Sequence, residues 1–357
     1  MLFVLPNFAG GGAERVALTL LAQLDRNRFD PQLAVLDNRG ALRPLLADDV
    51  VLHDIGKPRL RQALPALISL VRRERPAVVF ATQGYLNVAL LAARRLMPSG
   101  TKLALREAST PSQSLSHHRY PRLMYWAYRR LYPQADLLFC QHGLTAQELV
   151  SDFGVTEARI ATLPNPIAAA SLRETAVPVR RHPGPGLRFV AAGRLSWEKG
   201  FDRLIELFAQ TPASSHLTIF GEGGEFEALS ALIDKFALGQ RVLLAGFTDS
   251  LPAALAGADA LLISSHWEGL PNVALESLAC GTPVIATPEA GGIAELAQAA
   301  PPGAVTLASW GDSFRGALES RSEKPGGSLA PSLLPARYEL DAVMADFNRY
   351  LADLAKS

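Results

Sequence analysis

Short apolar runs along the chain alternate with stretches in which apolar residues recur at helical spacing. Leu2–Leu5 is such a run, and the stretch that follows it, Ala13–Leu24, carries Val16 and Leu20 on one helical face. Because the runs are apolar on both faces, they are typical of parallel strands covered by helices. The first half of the chain therefore predicts further strands at Gln32–Leu36, Ala77–Ala81, Lys102–Leu105 and Asp136–Cys140, with helices near Leu64–Arg73 and Leu86–Leu96.

The same alternation starts again after a segment rich in Pro, Ala and Arg. Residues 168–186, which end in HPGPG, are predicted to be a linker, because Pro and Gly weaken helices and strands alike. Residues 309–336 are predicted to be rich in loops, and Glu339–Leu354 to form a last helix. The second block predicts strands at Leu187–Ala192, Leu217–Phe220, Arg241–Ala245, Ala260–Ile263 and Pro283–Ala286, with helices at Phe201–Gln210 and Glu225–Phe236.

Two blocks of alternation predict an α/β protein with two Rossmann-like, doubly wound domains. The predicted domains are residues 1–167 and 187–337, joined by the linker at 168–186, and residues 338–357 form a C-terminal helix that packs back across the domain boundary. A length of 357 residues agrees with two domains, since single cores rarely exceed about 250–300 residues. Ligands of such sheets bind at the carboxyl ends of the strands. We therefore expect the functional site in a cleft between the two domains.

Composition narrows the class of protein. With 48% hydrophobic and 19% charged residues, the chain is globular rather than disordered. No apolar run approaches the roughly 20 residues of a membrane-spanning helix, and the opening MLFVLP lacks the basic start of a signal peptide. Cys140 and Cys280 lie far apart in apolar segments, which favours buried thiols in a reducing compartment. The expected location is the cytoplasm, at or near the inner face of the cell membrane.

The expected location at the membrane rests on two features, the basic charge of the first half of the chain and the composition of residues 117–133. Residues 1–180 hold 22 Lys and Arg against 14 Asp and Glu, whereas residues 181–357 hold 13 against 20. The basic half suits an anionic acceptor or a membrane surface, but it forms no stripe typical of a nucleic-acid-binding module. Within it, residues 117–133 combine basic and aromatic residues as interfacial helices do. The alternative is a helix that packs one apolar face on the sheet, namely Leu123, Met124, Ala127, Tyr128 and Leu131.

The first candidate for chemistry is the glycine turn that joins the first strand to the first helix. Gly10, Gly11 and Gly12 let the backbone approach a ligand, and the helix that follows offers free N–H groups to a phosphate. A dinucleotide fingerprint is the competing interpretation, which Asp37 at the end of the second strand favours. That fingerprint requires a third small residue where this chain has Arg15. A phosphate contact is therefore the preferred prediction for Gly11 and Gly12.

The second candidate follows the first strand of the second domain. Residues 193–200, GRLSWEKG, place Arg194 and Lys199 between the carboxyl end of a predicted strand and the start of a predicted helix. Two fixed cations there are suited to the negative charge that develops on a departing diphosphate. No Asp-x-Asp pair occurs anywhere in the chain, so no carboxylate pair for a divalent metal is evident. The alternative is a solvated helix start with surface charges.

The third candidate is residues 268–276, EGLPNVALE, in which two carboxylates flank a turn and a helix start. Glu268 precedes the turn, and Glu276 lies on the helix among apolar neighbours. Carboxylates accept hydrogen bonds from sugar hydroxyls, and the amides between them face a phosphate. A charged residue in an apolar neighbourhood is rarely buried without a partner, which favours a ligand hydroxyl for Glu276. The alternative is an ordinary solvated helix residue.

Taken together, these motifs resemble the retaining glycosyltransferases of family 4, whose two-domain fold is called GT-B. The resemblance runs through GRLSWEKGFDRLI, LTIFGEGGEFEAL, VLLAGF, EGLPNVALESLACGTPVIAT and GGIAEL in the second half. In the first half it runs through LPNFAGGGAERV and LPNPI, with residues 41–130 matching only loosely. It implies transfer of a sugar from a UDP- or GDP-sugar to a glycan or lipid-linked acceptor, with retention, in polysaccharide or glycolipid synthesis. It implies neither a metal nor another cofactor.

The resemblance also implies roles for individual residues. Arg194 and Lys199 correspond to the pair that binds the diphosphate, whereas Glu268 and Glu276 correspond to the E-x7-E glutamates near the donor sugar and on the ribose. Arg194, Lys199 and Glu268 are the implied catalytic residues. The other implied donor contacts are Gly11, Gly12, Gly193, Gly221, Gly223, Phe247, Gly269, Leu270, Pro271 and Asn272.

Relatives of this family also carry a polar group in the middle of the first domain, near the donor sugar. Four residues of this chain are candidates for it: Arg106, Glu107, His117 and His118. Arg106 and Glu107 end a predicted strand, where a substrate-binding residue is expected, whereas the two histidines are expected at the surface. Two other functions stay open on the sequence alone, a non-catalytic nucleotide-sugar-binding subunit and an NAD-dependent oxidoreductase.

Overall fold

A computed structural model describes residues 1–9, 11–180, 185–324 and 328–356. Gly10 of the glycine turn, most of the HPGPG stretch and most of the KPGG stretch lie outside the described residues. The chain divides into two compact units. The first unit comprises Met1–Pro166 with Asp341–Ser357, and the second comprises Ile167–Leu340.

Within its described residues, the first unit contains a seven-stranded sheet in which every pairing is parallel. Its strand order is β3-β2-β1-β4-β5-β6-β7, so the order reverses between β1 and β4. Ligands of doubly wound sheets bind at such a reversal. The strands are β1 (Leu2–Leu5), β2 (Gln32–Val35), β3 (Val51–Asp54), β4 (Val78–Ala81), β5 (Lys102–Glu107), β6 (Leu137–Cys140) and β7 (Ile160–Thr162).

The helices of the first unit cover this sheet with apolar faces. α2, for example, buries Ala63, Leu67 and Val71, which recur at helical spacing. The buried faces of these helices form a core with the inward side chains of the central strands. The helices are α1 (Gly12–Ala22), α2 (Leu60–Glu74), α3 (Gly84–Ala92), α4 (Pro111–Ser116), α5 (Pro121–Leu131) and α6 (Gly143–Ser151).

The described part of the second unit contains a six-stranded sheet, also parallel at every pairing, in the order β10-β9-β8-β11-β12-β13. The order reverses between β8 and β11. The strands are β8 (Arg188–Ala192), β9 (His216–Phe220), β10 (Val242–Gly246), β11 (Ala260–Ile263), β12 (Val284–Ala286) and β13 (Val305–Leu307). The helices are α7 (Ala169–Glu174), α8 (Phe201–Phe208), α9 (Phe226–Lys235), α10 (Leu251–Ala256), α11 (Asn272–Ala279), α12 (Ile293–Ala299) and α13 (Asp312–Glu319).

Alternate residues of the central strands feed two cores, one on each face of the second sheet. Phe189 and Ala191 of β8 join the core beneath α8 and α9, whereas Val190 joins the core beneath α11 and α12. α7 lies in the segment predicted to be a linker, and it packs on α11 with Ala169 in the second core. A sheet buried on both faces is a rigid platform for the loops at its carboxyl edge.

The C-terminal helix, α14 (Leu340–Lys356), packs in the first unit. Its Phe347 is fully buried and contacts the rings of Phe3, Phe80 and Phe139, with centroids 6.4, 5.4 and 5.4 Å away. Aromatic pairs at such distances contribute roughly 0.5–1.5 kcal/mol each beyond their buried area. The end of the chain therefore completes the core of the domain in which the chain begins.

The predicted fold class is confirmed, and the predicted elements differ from the structure mainly at the sheet edges. The strands β3, β7 and β13 were not predicted, because they are partly exposed and form no continuous buried run. α13 lies in the range predicted to be rich in loops. Along the described chain, no helix combines the length and apolarity needed to cross a bilayer. Cys140 and Cys280 are both buried.

Candidate active site

Two loops meet at the strand-order reversal of the second sheet. One follows β8 and contains the GRLSWEKG motif, residues 193–200, and the other follows β11 and contains Ser264, Ser265 and Glu268. β8 and β11 are hydrogen-bonded neighbours in this parallel sheet, so both loops leave the same edge. The sequence therefore places its second and third candidate motifs at the position where ligands of this fold bind.

An ion pair joins the two loops. The Lys199 ammonium nitrogen lies 2.7 Å from a carboxylate oxygen of Glu268, and their side chains are only 21% and 12% exposed. The Ser265 hydroxyl donates to the other Glu268 oxygen over 2.5 Å. A charge-assisted pair in a half-buried site has fewer accessible orientations than a surface pair. The arrangement presents one ammonium and one carboxylate side by side at the carboxyl edge of the sheet.

Glycines allow the close backbone approaches that build the first loop. Gly200 has a φ of +62°, and an added Cβ would lie 2.2 Å from the Ser264 carbonyl oxygen. Gly221 has a φ of +138°, and its Cβ would lie 1.8 Å from the Gly193 carbonyl oxygen. Larger residues would therefore push the loops after β8, β9 and β11 apart. The GRLSWEKG loop is locked between the loops of both neighbouring strands.

The second loop runs directly into α11, where Gly269, Leu270 and Pro271 precede Asn272, the first helical residue. Gly292 donates its N–H to the Gly269 carbonyl over 2.6 Å. The first amides of a helix are a binding site for anions because they lack partners within the helix and carry positive potential. The turn and the start of α11 therefore follow Glu268 directly along the chain.

The other predicted residues of the second unit lie on the same sheet edge. Arg194 is exposed on the loop after β8, and no ion pair of Arg194 occurs among the residues that the structure describes. Gly221 and Gly223 follow β9, and Phe247 follows β10 with 65% of its surface exposed. Glu276 is half-buried on α11, about one turn after its first residue, Asn272. All of them except Glu276 lie in loops at strand ends.

In the first unit, the glycine turn lies at the other strand-order reversal. Gly11 caps α1, and Gly12 is its first residue. Behind the turn, the Gln83 amide donates over 2.5 Å to the buried carboxylate of Glu14, which joins the segment after β4 to α1. A Cβ on Gly11 would lie 2.2 Å from a Glu14 oxygen. Gly11 therefore brings its backbone close to a side chain that also fixes the neighbouring loop.

Arg106 and Glu107 lie at the end of β5 and are buried, with 0% and 2% exposure. The Arg106 guanidinium donates to Asn165 and to the Thr82 hydroxyl, and burial lowers its pKa to about 10. The hydroxyls of Tyr128 and Tyr132 donate to Glu107 over 3.1 and 2.6 Å. Both side chains are therefore buried and hydrogen-bonded at the carboxyl end of β5, beneath the surface of the first unit.

The two histidines lie beyond this edge, between α4 and α5. His117 is exposed, and the ring of His118 accepts a hydrogen bond from the Tyr120 N–H. The structure therefore brings Arg106 and Glu107 to a strand end and leaves His117 and His118 on the outer loop. The surface position expected for the histidines agrees with this placement.

Comparison with known families identifies the chain. Residues 10–170 match the family model described as Glycosyltransferase Family 4, and residues 173–319 match the one described as Glycosyl transferases group 1. The two matches divide the chain as its two compact units do. The chain is a glycosyltransferase. The family resemblance carried by the sequence motifs is thereby confirmed.

Individual relatives agree with this assignment. The glycosyltransferase is 27% identical over 305 residues to an N-acetylgalactosaminyltransferase of Campylobacter jejuni that acts on a diphospho-undecaprenol-linked sugar, covering 81% of both chains. Its fold is similar to that of HepE from Anabaena, solved with UDP and glucose, at a TM-score of 0.77 and 19% identity over 99% of both chains. The lipopolysaccharide galactosyltransferase WaaB, at 17% identity and 99% coverage of both chains, gives a TM-score of 0.69.

The ionisation of Glu107 gives a test of its burial in the first unit, because it should change how the stability of the protein depends on pH. Burial raises the pKa of Glu107 from 4.5 to about 7, and the tyrosine hydroxyls only partly oppose this rise. A carboxyl with a raised pKa holds its proton in the folded state between about pH 4.5 and 7, so stability is lost as the pH rises through that window. Glu107→Gln should therefore gain up to about 3 kcal/mol relative to the wild type between pH 5 and pH 8.

Urea unfolding of both proteins at the two pH values measures this difference. The exposed Glu227 of α9 provides the control, since Glu227→Gln should follow the wild-type pH profile. Parallel profiles for Glu107→Gln and the wild type would contradict the assignment of a neutral, buried Glu107.

Proposed function

We propose that this glycosyltransferase transfers a sugar from a UDP- or GDP-sugar to a glycan or lipid-linked acceptor, with retention of anomeric configuration. The observation that carries the proposal is the Lys199–Glu268 ion pair at the strand-order reversal of the second unit. An ammonium there stabilises the diphosphate as it leaves, and a carboxylate accepts hydrogen bonds from sugar hydroxyls. The pair thus provides a cation for the diphosphate and a hydrogen-bond acceptor for the sugar of a nucleotide diphosphate sugar.

The remaining donor contacts follow from the same edge of the sheet. Arg194 shares the diphosphate charge with Lys199, and the amides from Gly269 to Asn272, with Leu270 and Pro271 between them, bind the β-phosphate and the sugar. Glu276 accepts from the ribose hydroxyls. Gly193, Gly221, Gly223 and Phe247 line the ribose and the base. These assignments rest on the family motifs and on the positions of the loops after β8, β9, β10 and β11.

The first unit contributes Gly11 and Gly12, whose backbone approaches the donor phosphates. Arg106 and Glu107 support the substrate-binding edge of that unit through the buried contacts of β5. The acceptor oxygen then bonds to the anomeric carbon on the face from which the diphosphate departs, the bond from that carbon to the diphosphate oxygen breaks, and the acceptor proton passes to the departing diphosphate.

We further propose that transfer needs no divalent metal. The second unit provides two cations, Arg194 and Lys199, at the proposed diphosphate site, and the chain has no Asp-x-Asp pair to hold a metal there. Protein cations can stabilise a leaving diphosphate without an ion. Donor turnover in excess EDTA should equal turnover with added magnesium, and a strong dependence on magnesium would contradict this part.

The acceptor is proposed to be carried by lipid or by a growing glycan. The Campylobacter relative acts on a diphospho-undecaprenol-linked sugar, and WaaB is a lipopolysaccharide galactosyltransferase. The chain itself offers an amphipathic surface for the membrane that carries such acceptors. We define this surface as the outer face of α5 and the two residues before it, where the exposed residues are Arg119, Tyr120, Pro121, Arg122, Leu123, Trp126, Arg129 and Arg130.

The α5 surface differs from the apolar face predicted from the sequence. Leu123 was expected to pack on the sheet but is 60% exposed. Tyr125 packs on Phe153 at 5.0 Å, and the Tyr128 hydroxyl reaches Glu107, so the buried face centres on Ala127 and Tyr128 and turns Leu123 outward. Exposed apolar side chains among arginines suit an anionic bilayer surface. We propose that the enzyme binds the inner face of the cell membrane there.

Vesicle binding tests this surface. Wild-type protein should bind phosphatidylglycerol vesicles at low salt, and the double variant Leu123→Ser, Trp126→Ser should bind at least about tenfold more weakly, since each side chain contributes on the order of 1 kcal/mol. The double variant Phe226→Ser, Leu243→Ser removes apolar groups of the second unit that are 43% exposed, and it should bind like the wild type. Equal binding by both double variants would contradict the α5 surface.

A thermal-shift panel tests the donor class. UDP, GDP, ADP, NAD, UDP-glucose, UDP-N-acetylglucosamine and GDP-mannose would be compared without added metal. A ligand at about 100 times its dissociation constant adds roughly 2.7 kcal/mol of stability. We expect a shift with UDP or GDP and their sugars, and a shift with NAD alone would favour the oxidoreductase instead.

A further inference from the structure

Arg203 of α8 reaches across to the loop that carries Glu268. We infer that Arg203 is a positioning residue, which holds this loop so that the Glu268 carboxylate is presented to the donor sugar. The inference rests on the proposed function, in which Glu268 binds that sugar. Arg203 itself has no assigned contact with substrate.

The guanidinium of Arg203 donates hydrogen bonds to the backbone of the loop. Its Nε and one Nη donate to the Ser264 carbonyl over 2.8 and 2.5 Å, and the same Nη donates to the Ser265 carbonyl over 2.9 Å. Hydrogen bonds from a charged donor are shorter and stronger than those between neutral groups. Both serines are buried, with 1% and 2% exposure, so water cannot readily replace the guanidinium. Arg203 therefore fixes the chain directly after β11.

The two serines transmit this constraint to the ion pair. The Ser265 hydroxyl donates to Glu268 over 2.5 Å, and the Ser264 hydroxyl donates to the Lys199 carbonyl over 3.0 Å. Each serine is thus held by Arg203 through its backbone. Ser265 holds the Glu268 carboxylate itself, whereas Ser264 contacts only the backbone of Lys199 and not its ammonium. The Thr287 hydroxyl adds a second donor to the Ser265 carbonyl, at 3.1 Å. Glu268 depends on Arg203 through a single intermediate residue.

Arg203 is itself fixed in place. Its guanidinium carbon lies 4.5 Å from the centre of the Trp310 ring, in a cation–π contact. It lies close to Gly200, whose absent Cβ leaves room for the Arg203 Nε. A planar fork with several donors can bind two successive carbonyls at once, whereas a lysine ammonium offers only a point charge. The geometry therefore requires arginine at this position.

Arg241 is a matched control within the same unit. It too is half-buried, donates to backbone carbonyls, including those of Ser215 and Thr211, and lies over an aromatic ring, Phe208, at 5.2 Å. Arg241 precedes β10 and so lies at the amino edge of the sheet, away from the proposed site. Arg241→Met removes the same kinds of contact without touching the Glu268 loop.

The test separates binding of the sugar from binding of the diphosphate. Calorimetry would measure affinities for a nucleoside diphosphate, UDP or GDP, and for the nucleotide sugar that gives the largest shift in the panel above. We expect Arg203→Met to bind the nucleotide sugar about tenfold more weakly and the nucleoside diphosphate within about twofold of the wild type. Arg241→Met should bind both ligands with wild-type affinity. Arg203→Lys should lose affinity only for the nucleotide sugar, and by less than Arg203→Met does.

A double-mutant cycle shows whether Arg203 acts through Glu268. In a Glu268→Gln background, Arg203→Met should cause no further loss of nucleotide-sugar affinity beyond about twofold. Equal losses on both ligands, or the full loss persisting in the Glu268→Gln background, would overturn the positioning role. If Arg203→Met does not fold, Arg203→Lys in the same cycle decides between these results. Unchanged sugar binding by Glu268→Gln alone would instead overturn the proposed function.

Discussion

Lys199→Ala should lower donor turnover at saturating nucleotide sugar by about 10²–10³-fold while leaving the protein folded. Removing one preoriented donor to developing negative charge typically has this effect, because the charge on the leaving group then lacks its partner. In the structure the Lys199 ammonium is fixed 2.7 Å from Glu268, so it stands ready before the donor binds. The assay is release of the nucleoside diphosphate from the nucleotide sugar that binds best.

Lys235 provides the matched control for this prediction. It is an exposed lysine in the last turn of α9, and Lys235→Ala should turn over donor like the wild type. Both variants should stay folded, but Lys199→Ala should be the less stable one because it leaves the 12% exposed Glu268 without its ammonium partner, although Glu268 keeps its hydrogen bond from Ser265. Wild-type turnover by Lys199→Ala would contradict the assignment of Lys199 to the diphosphate site.

Gly291→Ala should disable the site through the backbone rather than through a charge. Gly291 has a φ of +61°, and an added Cβ would lie 2.2 Å from the carbonyl oxygens of both Glu268 and Gly269. The left-handed conformation costs about 1–2 kcal/mol for a residue with a side chain, and the overlap costs about 1–3 kcal/mol more. We expect a loss of about 2–5 kcal/mol of stability, together with weaker nucleotide-sugar binding as the loop shifts.

Gly303→Ala isolates the conformational part of that effect. Gly303 has a φ of +78°, and no atom lies within 4 Å of its added Cβ. This control should lose only the roughly 1–2 kcal/mol of the left-handed conformation and should bind the nucleotide sugar normally. Equal stability and equal binding in the two variants would show that contact between Gly291 and the Glu268 loop is not needed.

The central fold was predictable from the sequence because its strands are continuous apolar runs. β1, β4 and β6 are buried along their whole length, which requires a sheet covered on both faces. The edge strands β3 and β13 were missed because their side chains are partly exposed and leave no such run. Their positions follow from pairing with a neighbouring strand, which is a property of the folded chain.

The site was predictable to the level of its loops but not of its contacts. Motif spacing placed Lys199 and Glu268 after two different strands, yet only the strand order makes those strands neighbours and brings the two charges together. Ser265 carried no sequence signal beyond its place near Glu268, and Arg203 resembles any arginine on an amphipathic helix. Burial likewise could not be foreseen for Glu107, because its partners Tyr128, in α5, and Tyr132, just after α5, lie 21 and 25 residues further along the chain.

A crystal structure of the protein with the nucleoside diphosphate that gives the largest thermal shift would test the central claim most directly. The account predicts the diphosphate within hydrogen-bond distance of Arg194 and Lys199, with its β-phosphate at the amides that begin α11 and its ribose at Glu276. A nucleotide bound to the Gly11–Gly12 turn, with none of these groups in contact with it, would contradict the account.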